Sequence, residues 1–182
     1  FTDGSMGAGT ALFFAPYADD PTTSGLPIHT QEELDALVMN ADKAGLQIAA
    51  HAIGDQANAW ILDAFAKARA ANGRNDARHR VEHSQVVRPA DLQRFAELGV
   101  IASVQPSHCI DDMRWAEKRI GQRVNDAYRW RSFLESGVHV AFGTDWDVEP
   151  LDPRLGLYAA VTRELPAGGP AGGWHPGEKI SL

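Results

Sequence analysis

The regular alternation of two hydrophobic periods constrains this chain more than any other feature. In TQEELDALVMNADKAG, Leu34, Leu37, Val38, Ala41 and Ala44 recur at helical spacing, Thr30 and Glu33 have the spacing of a capping box, and Gly45 stands where a helix stops. LQIAAHAIGD follows as a short strand. After it, ANAWILDAFAKARAANG carries Trp60, Ile61, Ala64, Phe65 and Ala68 as one helical stripe ending near Gly73. The order then repeats: RHRVEHS as strand, PADLQRFAELG as helix with proline in its first turn, VIASVQPSH as strand, a long polar insertion, WRSFLESG as helix, VHVAFGTD as strand and DPRLGLYAAVTR as helix. Strands separated by helices and short turns must run parallel, joined by crossovers, which predicts an α/β fold.

The ends of the chain refine that reading. FTDGSMG begins as though a strand had just finished, and WHPGEKISL stops where a helix looks about to start. Roughly four and a half βα units are visible, against about 250 residues for a complete (β/α)8 barrel. Residues 1–182 are therefore expected to be one partial barrel domain, truncated at both ends, running from the end of strand 4 to strand 8. Five parallel strands are predicted, the first a stub at Phe1, and LPAGGPAGGW reads as a flexible loop. Open sheet edges in such a half-barrel predict low stability and self-association into homo-oligomers.

Composition limits the partners. With 44% hydrophobic and 23% charged residues the chain has the make-up of a globular domain. A net charge of -7 and a pI near 5.4 provide no basic face, which argues against nucleic acid and membrane surfaces and for a small-molecule substrate. The single cysteine, Cys109, rules out an internal disulfide framework and says little about compartment; a cytoplasmic setting is preferred. No apolar run approaches the roughly 20 residues that span a bilayer.

Strand parity points to the candidate site. In HVAFGTD, Val138, Val140 and Phe142 share one face and His139, Ala141, Gly143 and Asp145 the other. The same reading puts Gln47, Ala49 and His51 together, and His79, Val81 and His83 together, with Glu82 turned toward the helices or a neighbouring strand. Three strands thus each end in a metal-competent group, His51, His83 or Asp145, and in a barrel those C-terminal ends meet at one mouth. A carboxylate ending an apolar strand is costly to bury alone and well placed as a metal ligand. His108, read as lying on a loop past the next strand, and Trp146, beside the aspartate, are candidate substrate contacts. His29 and His175 sit in loops and His79 and His139 at strand starts, so all four are read as structural, and Asp55 as a helix N-cap. Trp115, Trp130, Trp146, Met113 and Phe133 suggest an apolar or aromatic pocket, or simply packing of the insertion.

The strings HAIGDQAN, RHRVEHSQ, SVQPSH and AFGTDW, in this order with helices between, resemble the amidohydrolase superfamily, and within it amidohydrolase family 3, the YtcJ-like branch that includes N-substituted formamide deformylase. FTDGSMGAGTALF also looks like the segment that follows the fourth strand in that branch, so the resemblance covers essentially the whole chain. It implies one or two divalent metals, usually zinc, at the top of a barrel. Of the family's ligands, His51 matches the fifth-strand histidine, His83 the sixth-strand histidine and Asp145 the eighth-strand aspartate.

The departures are as plain. No His-x-His pair occurs, Lys43, Lys67, Lys118 and Lys179 fall in helices or loops, and the fourth-strand lysine would precede Phe1. The resemblance implies hydrolysis of carbon–nitrogen bonds other than peptide bonds, in an amide, formamide or cyclic amide. Zinc lowers the pKa of its water toward about 7 to make a hydroxide nucleophile, and Asp145 serves as the catalytic proton shuttle. Two alternatives stay open: a deaminase of the same superfamily, and a non-catalytic half-barrel with at most weak metal binding.

Overall fold

The computed structural model describes residues 1–181. Its elements are α1 (Gln31–Lys43), β1 (Ala49–Ala52), α2 (Asp55–Asn72), β2 (Arg80–His83), α3 (Pro89–Leu98), β3 (Ile101–Val104), α4 (Pro106–Asp112), α5 (Ala116–Ile120), α6 (Trp130–Glu135), β4 (Val140–Phe142) and α7 (Pro153–Thr162), with 3-10 turns at Gly121–Asp126 and Pro176–Glu178. The strands form one sheet in the order β1-β2-β3-β4, and every neighbouring pair is parallel. This is the α/β arrangement expected of part of a (β/α)8 barrel.

Local chemistry accounts for the boundaries. The capping box at α1 is complete: the Thr30 hydroxyl accepts from the Glu33 N–H at 3.2 Å and the Glu33 carboxylate from the Thr30 N–H at 2.9 Å. Gly73 and Gly99 end α2 and α3 in the left-handed conformation. The polar insertion is largely helical, and His108 lies within the first turn of α4, not on a loop. Asp55 is the first residue of α2 rather than its N-cap, which is Gly54; the Asp55 carboxylate instead accepts the N–H of Phe14 at 3.0 Å. A side chain at Gly54 would collide with the Leu12 carbonyl, its Cβ only 2.0 Å from that oxygen.

Ala50, Ala52, Val81, Ala102 and Val104 are buried in the same cluster as Ile61, Phe65 and Phe95, so this face of the sheet lies under the helices. Register then puts His51, Glu82, Ser103 and Ala141 in one row on the opposite face. The parity read for RHRVEH is therefore reversed. Val81 and His79 face the helices, whereas Glu82 lies on the open face, ion-paired with Arg80. His79 stacks on Phe65 with ring centroids 4.8 Å apart; its Nε2 lies 3.0 Å from Asp42 and its Nδ1 accepts the Ile48 N–H at 3.1 Å. In β4, Phe142 shares the helix-facing parity yet is 39% exposed, because α7 packs against α4 and leaves this edge strand uncovered.

Among the described residues there are four strands, not five. At the expected stub, the Thr2 N–H donates to the His51 carbonyl at 2.9 Å, and the Thr2 carbonyl accepts from Ile28 at 3.0 Å. The ladder stops there because Asp3 turns inward. Its buried carboxylate accepts the N–H groups of Leu12 at 2.8 Å, Ile53 at 3.0 Å and Gly54 at 2.9 Å. The loop LPAGGPAGGW is tied at its end, where the Trp174 N–H donates to the Arg163 carbonyl at 2.9 Å and the Arg163 guanidinium donates to the Trp174 carbonyl at 2.5 Å.

Two outcomes are expected. Asp3→Ala orphans three buried N–H groups and should cost about 3 kcal/mol or more of stability in urea unfolding; a loss within about 0.5 kcal/mol would contradict the anchoring role. Burial holds the His79 pKa below its ordinary 6.5, since the neutral ring is the form that both donates to Asp42 and accepts from Ile48. The stability this residue contributes should be fully present above about pH 6.5 and fall away as pH drops through the folded-state value. The penalty of His79→Gln should accordingly be larger at pH 7.5 than at pH 5; a penalty independent of pH, or larger at pH 5, would refute it.

Candidate metal centre

His51 lies near the C-terminal end of β1, on the open face of the sheet. His83 ends β2 opposite Ala52, a core position, and would point under the helices in a regular strand. It does not, because His83 and Ser84 adopt left-handed backbone with φ 73° and 43°. This turn carries the ring out beside His51, at 4.6 Å between ring centroids, and within 5.7 Å of His108, with which it stacks. Asp145, just past β4 and also left-handed at φ 56°, brings its Oδ2 to 4.0 Å from the His83 Nε2. One ligand atom from each of His83, His108 and Asp145 lies within 4.8 Å of the others. Non-glycine residues in this region are strained, and such strain clusters at functional sites.

Burial, followed by the neighbouring His51, pushes the His83 pKa down to about 4; burial also lowers that of His108. Both rings are thus held neutral, the form that offers a lone pair. The Nδ1 atoms of His51 and His83 and the Nε2 of His108 are buried without a hydrogen-bond partner. The Asp3 Oδ1, which also accepts the Ile53 N–H, stands 3.2 Å behind the His51 Nδ1. Buried polar atoms are nearly always satisfied, and the ligand atoms of His83, His108 and Asp145 converge closely enough to fit one divalent cation, with the His51 ring 4.6 Å from that of His83 rather than in this group.

The cluster opens into a cavity of about 530 Å³, with Phe1, Met6, Trp115 and Val148 as apolar wall and Asp111 and Glu149 as acidic wall. His51, His83, His108 and Asp145 all line it. Trp146 does not, and the residue is 65% exposed. Of the other aromatic candidates, Trp130 and Phe133 are buried in the core and only Trp115 reaches the cavity. Sequence reasoning passed over Asp3, Glu149 and the buried network at the cavity floor, where the Gln85 amide donates to Asp112 at 3.0 Å and to the Tyr128 hydroxyl at 2.7 Å, and that hydroxyl donates to Asp112. Burial raises the Asp112 pKa to about 6. Glu149 rises to about 7 through burial and the charge of Asp111. Gln85 and Asp112 are 27 positions apart, and no periodicity links them.

The amidohydrolase family model matches residues 1–182. The chain belongs to the amidohydrolase family. It is 42% identical to the Arabidopsis thaliana protein LONG AFTER FAR-RED 3, over 100% of this chain and 31% of that protein, and 38% identical to the putative amidohydrolase YtcJ of Bacillus subtilis, over 90% and 31%. It also resembles the crystal structure of an uncharacterized metal-dependent hydrolase from Pyrococcus furiosus, at 38% identity and a TM-score of 0.84, covering 100% of this chain and 35% of that one. The chain thus spans about a third of the length of these relatives.

If the centre is as described, His51→Ala and His83→Ala should each weaken Co2+ or Zn2+ binding by at least about tenfold in calorimetric titration. Unchanged affinity in both variants would remove the site.

Proposed function

We propose that these residues form part of a metal-dependent hydrolase acting on carbon–nitrogen bonds other than peptide bonds, in an amide, formamide or cyclic amide. The observation that carries this reading is the convergence of His51, His83, His108 and Asp145 on one cavity, three of their ring nitrogens being buried and unpartnered. Family membership and the likeness to metal-dependent hydrolases support it. A bound divalent cation, zinc being the ion the family implies, supplies Lewis acidity that polarises a carbonyl and makes water a better nucleophile.

The chain's own residues do the rest. The neutral imidazoles of His51 and His83 offer lone pairs without adding positive charge, and Asp3, locked by its backbone donors, fixes what stands behind His51. Asp145, with its side chain 40% exposed toward the cavity, takes a proton from the attacking water at a carboxylate oxygen and returns it to the leaving nitrogen. The apolar wall of Phe1, Met6, Trp115 and Val148 receives the carbon frame of the substrate and keeps bulk water from that side.

The test is a panel of formamides, acyclic amides and cyclic amides, followed by amine or acid release, with an amino-heterocycle followed by ammonia release. Activity on the amides that is lost to a chelator and falls by about 10²-fold or more in Asp145→Asn is expected. Ammonia release from the amino-heterocycle alone would transfer the assignment to a deaminase. Metal binding with no turnover of any member would favour a non-catalytic barrel segment.

A further inference from the structure

His83 borders two cavities. It lines the large one described above and, with Gln105, Tyr128 and Trp130, a small one of about 10 Å³. Gln105, Tyr128 and Trp130 are all buried, so the small cavity lies in the interior. It has about the room that one internal water takes up, and such waters sit where two to four polar groups need hydrogen bonds.

Three groups around it have that need. The His83 Nε2 lies 4.0 Å from Asp145, on the side of the metal centre, whereas its Nδ1 is buried without a partner. The Trp130 indole N–H is also buried without an acceptor, in a residue only 1% exposed. The Arg163 guanidinium covers that ring, 4.5 Å from its centroid, and holds it in place. The Gln105 amide nitrogen donates to the Ser103 carbonyl at 3.2 Å, which leaves the side-chain oxygen as an acceptor. Gln105 stands close enough to the His83 ring to interact with it, yet makes no direct bond to the buried Nδ1.

Resting on the metal-centre reading behind the proposed hydrolase, we propose that the small cavity binds one water that accepts from the Trp130 Nε1–H and the His83 Nδ1–H and donates to the Gln105 side-chain oxygen, making Trp130 and Gln105 positioning residues for His83. The donors and acceptors balance. Indole only donates, so Trp130 takes one lone pair of the water, and the Gln105 oxygen takes one of its hydrogens. When Nε2 gives its lone pair to a cation the ring proton sits on Nδ1, and the second lone pair of the water receives it. A ligand ring held through its other nitrogen keeps its aim, and losing such support typically weakens metal binding about 10- to 100-fold.

The test replaces Trp130 with 3-benzothienylalanine, which keeps the fused rings and puts sulfur in place of the N–H. Trp174 also packs against Arg163 but lines neither cavity, and it receives the same replacement as a control. In the unsubstituted chain, water-selective NOE and ROE spectra should show a long-lived water at the Trp130 indole N–H, assigned with Trp130→Phe, and at the His83 ring. Co2+ affinity should fall by about tenfold or more when Trp130 is replaced, and the visible Co2+ spectrum should shift. The Trp174 replacement should change neither. Absence of the water cross-peak at Trp130 overturns the proposal. So does Co2+ affinity that survives the Trp130 replacement, or that falls equally in the Trp174 control, which would mark a general packing effect. If the unsubstituted chain binds no Co2+ while the cross-peak is present, the metal-centre reading falls and the water site stands.

Discussion

A single buried carboxylate, Asp3, holds together the parts on which the site depends. Its three backbone donors come from Leu12 and from Ile53 and Gly54, so one residue ties the opening segment to the turn between β1 and α2. A carboxylate can be buried at tolerable cost only when such donors are fixed around it, and here they are fixed in turn by the sheet and by the start of α2. The close approach of Leu12 to Gly54 is the other half of the arrangement, since any side chain at Gly54 would push the segment away. Phe1, with its ring 5.0 Å from that of His51, and Met6 are placed in the cavity wall as a consequence.

The second determinant is where the backbone abandons regular strand geometry. In β1 an ordinary strand suffices, because His51 already lies on the open face. In β2 it does not, and the left-handed residues His83 and Ser84 swing a ring that the pleat would have sent into the core. Asp145 uses the same device after β4. The parallel sheet brings the strand ends to one edge, and these irregular residues decide which side chains face each other there. Desolvation then keeps the His83 and His108 rings neutral, linking packing to the chemistry a metal requires.

Much of this was legible in the residues alone. Helical and strand periods alternate clearly, capping and terminating residues stand at the right spacing, and His51, His83 and Asp145 each close a strand-like run, so an α/β fold with a metal-competent edge could be read directly. The parity of VEH comes out reversed when it is anchored on His83: the regular strand turns Val81 to the helices and Glu82 to the open face, and it is the two positive-φ residues, His83 and Ser84, that bring the His83 ring back to the site. Trp130 and Phe133 looked like pocket residues because an aromatic in a polar insertion fits a wall as well as a core; packing against the helices decided for the core.

What the sequence by itself determined is the set of short-range facts: which segments are helices or strands, where they stop, that consecutive strands run parallel, and which residues can bind a metal. These depend on neighbours a few positions away. What only the tertiary structure decided is the set of long-range encounters. Asp3 meets Ile53 and Gly54, Gln85 meets Asp112 and Tyr128, and Glu149 stands 3.9 Å from the His108 Nε2. Each joins residues separated by tens of positions, and burial sets the charge state and hydrogen-bonding needs of the groups that meet. Neither quantity has a local signature in the chain, because both come from the volume the fold excludes from water.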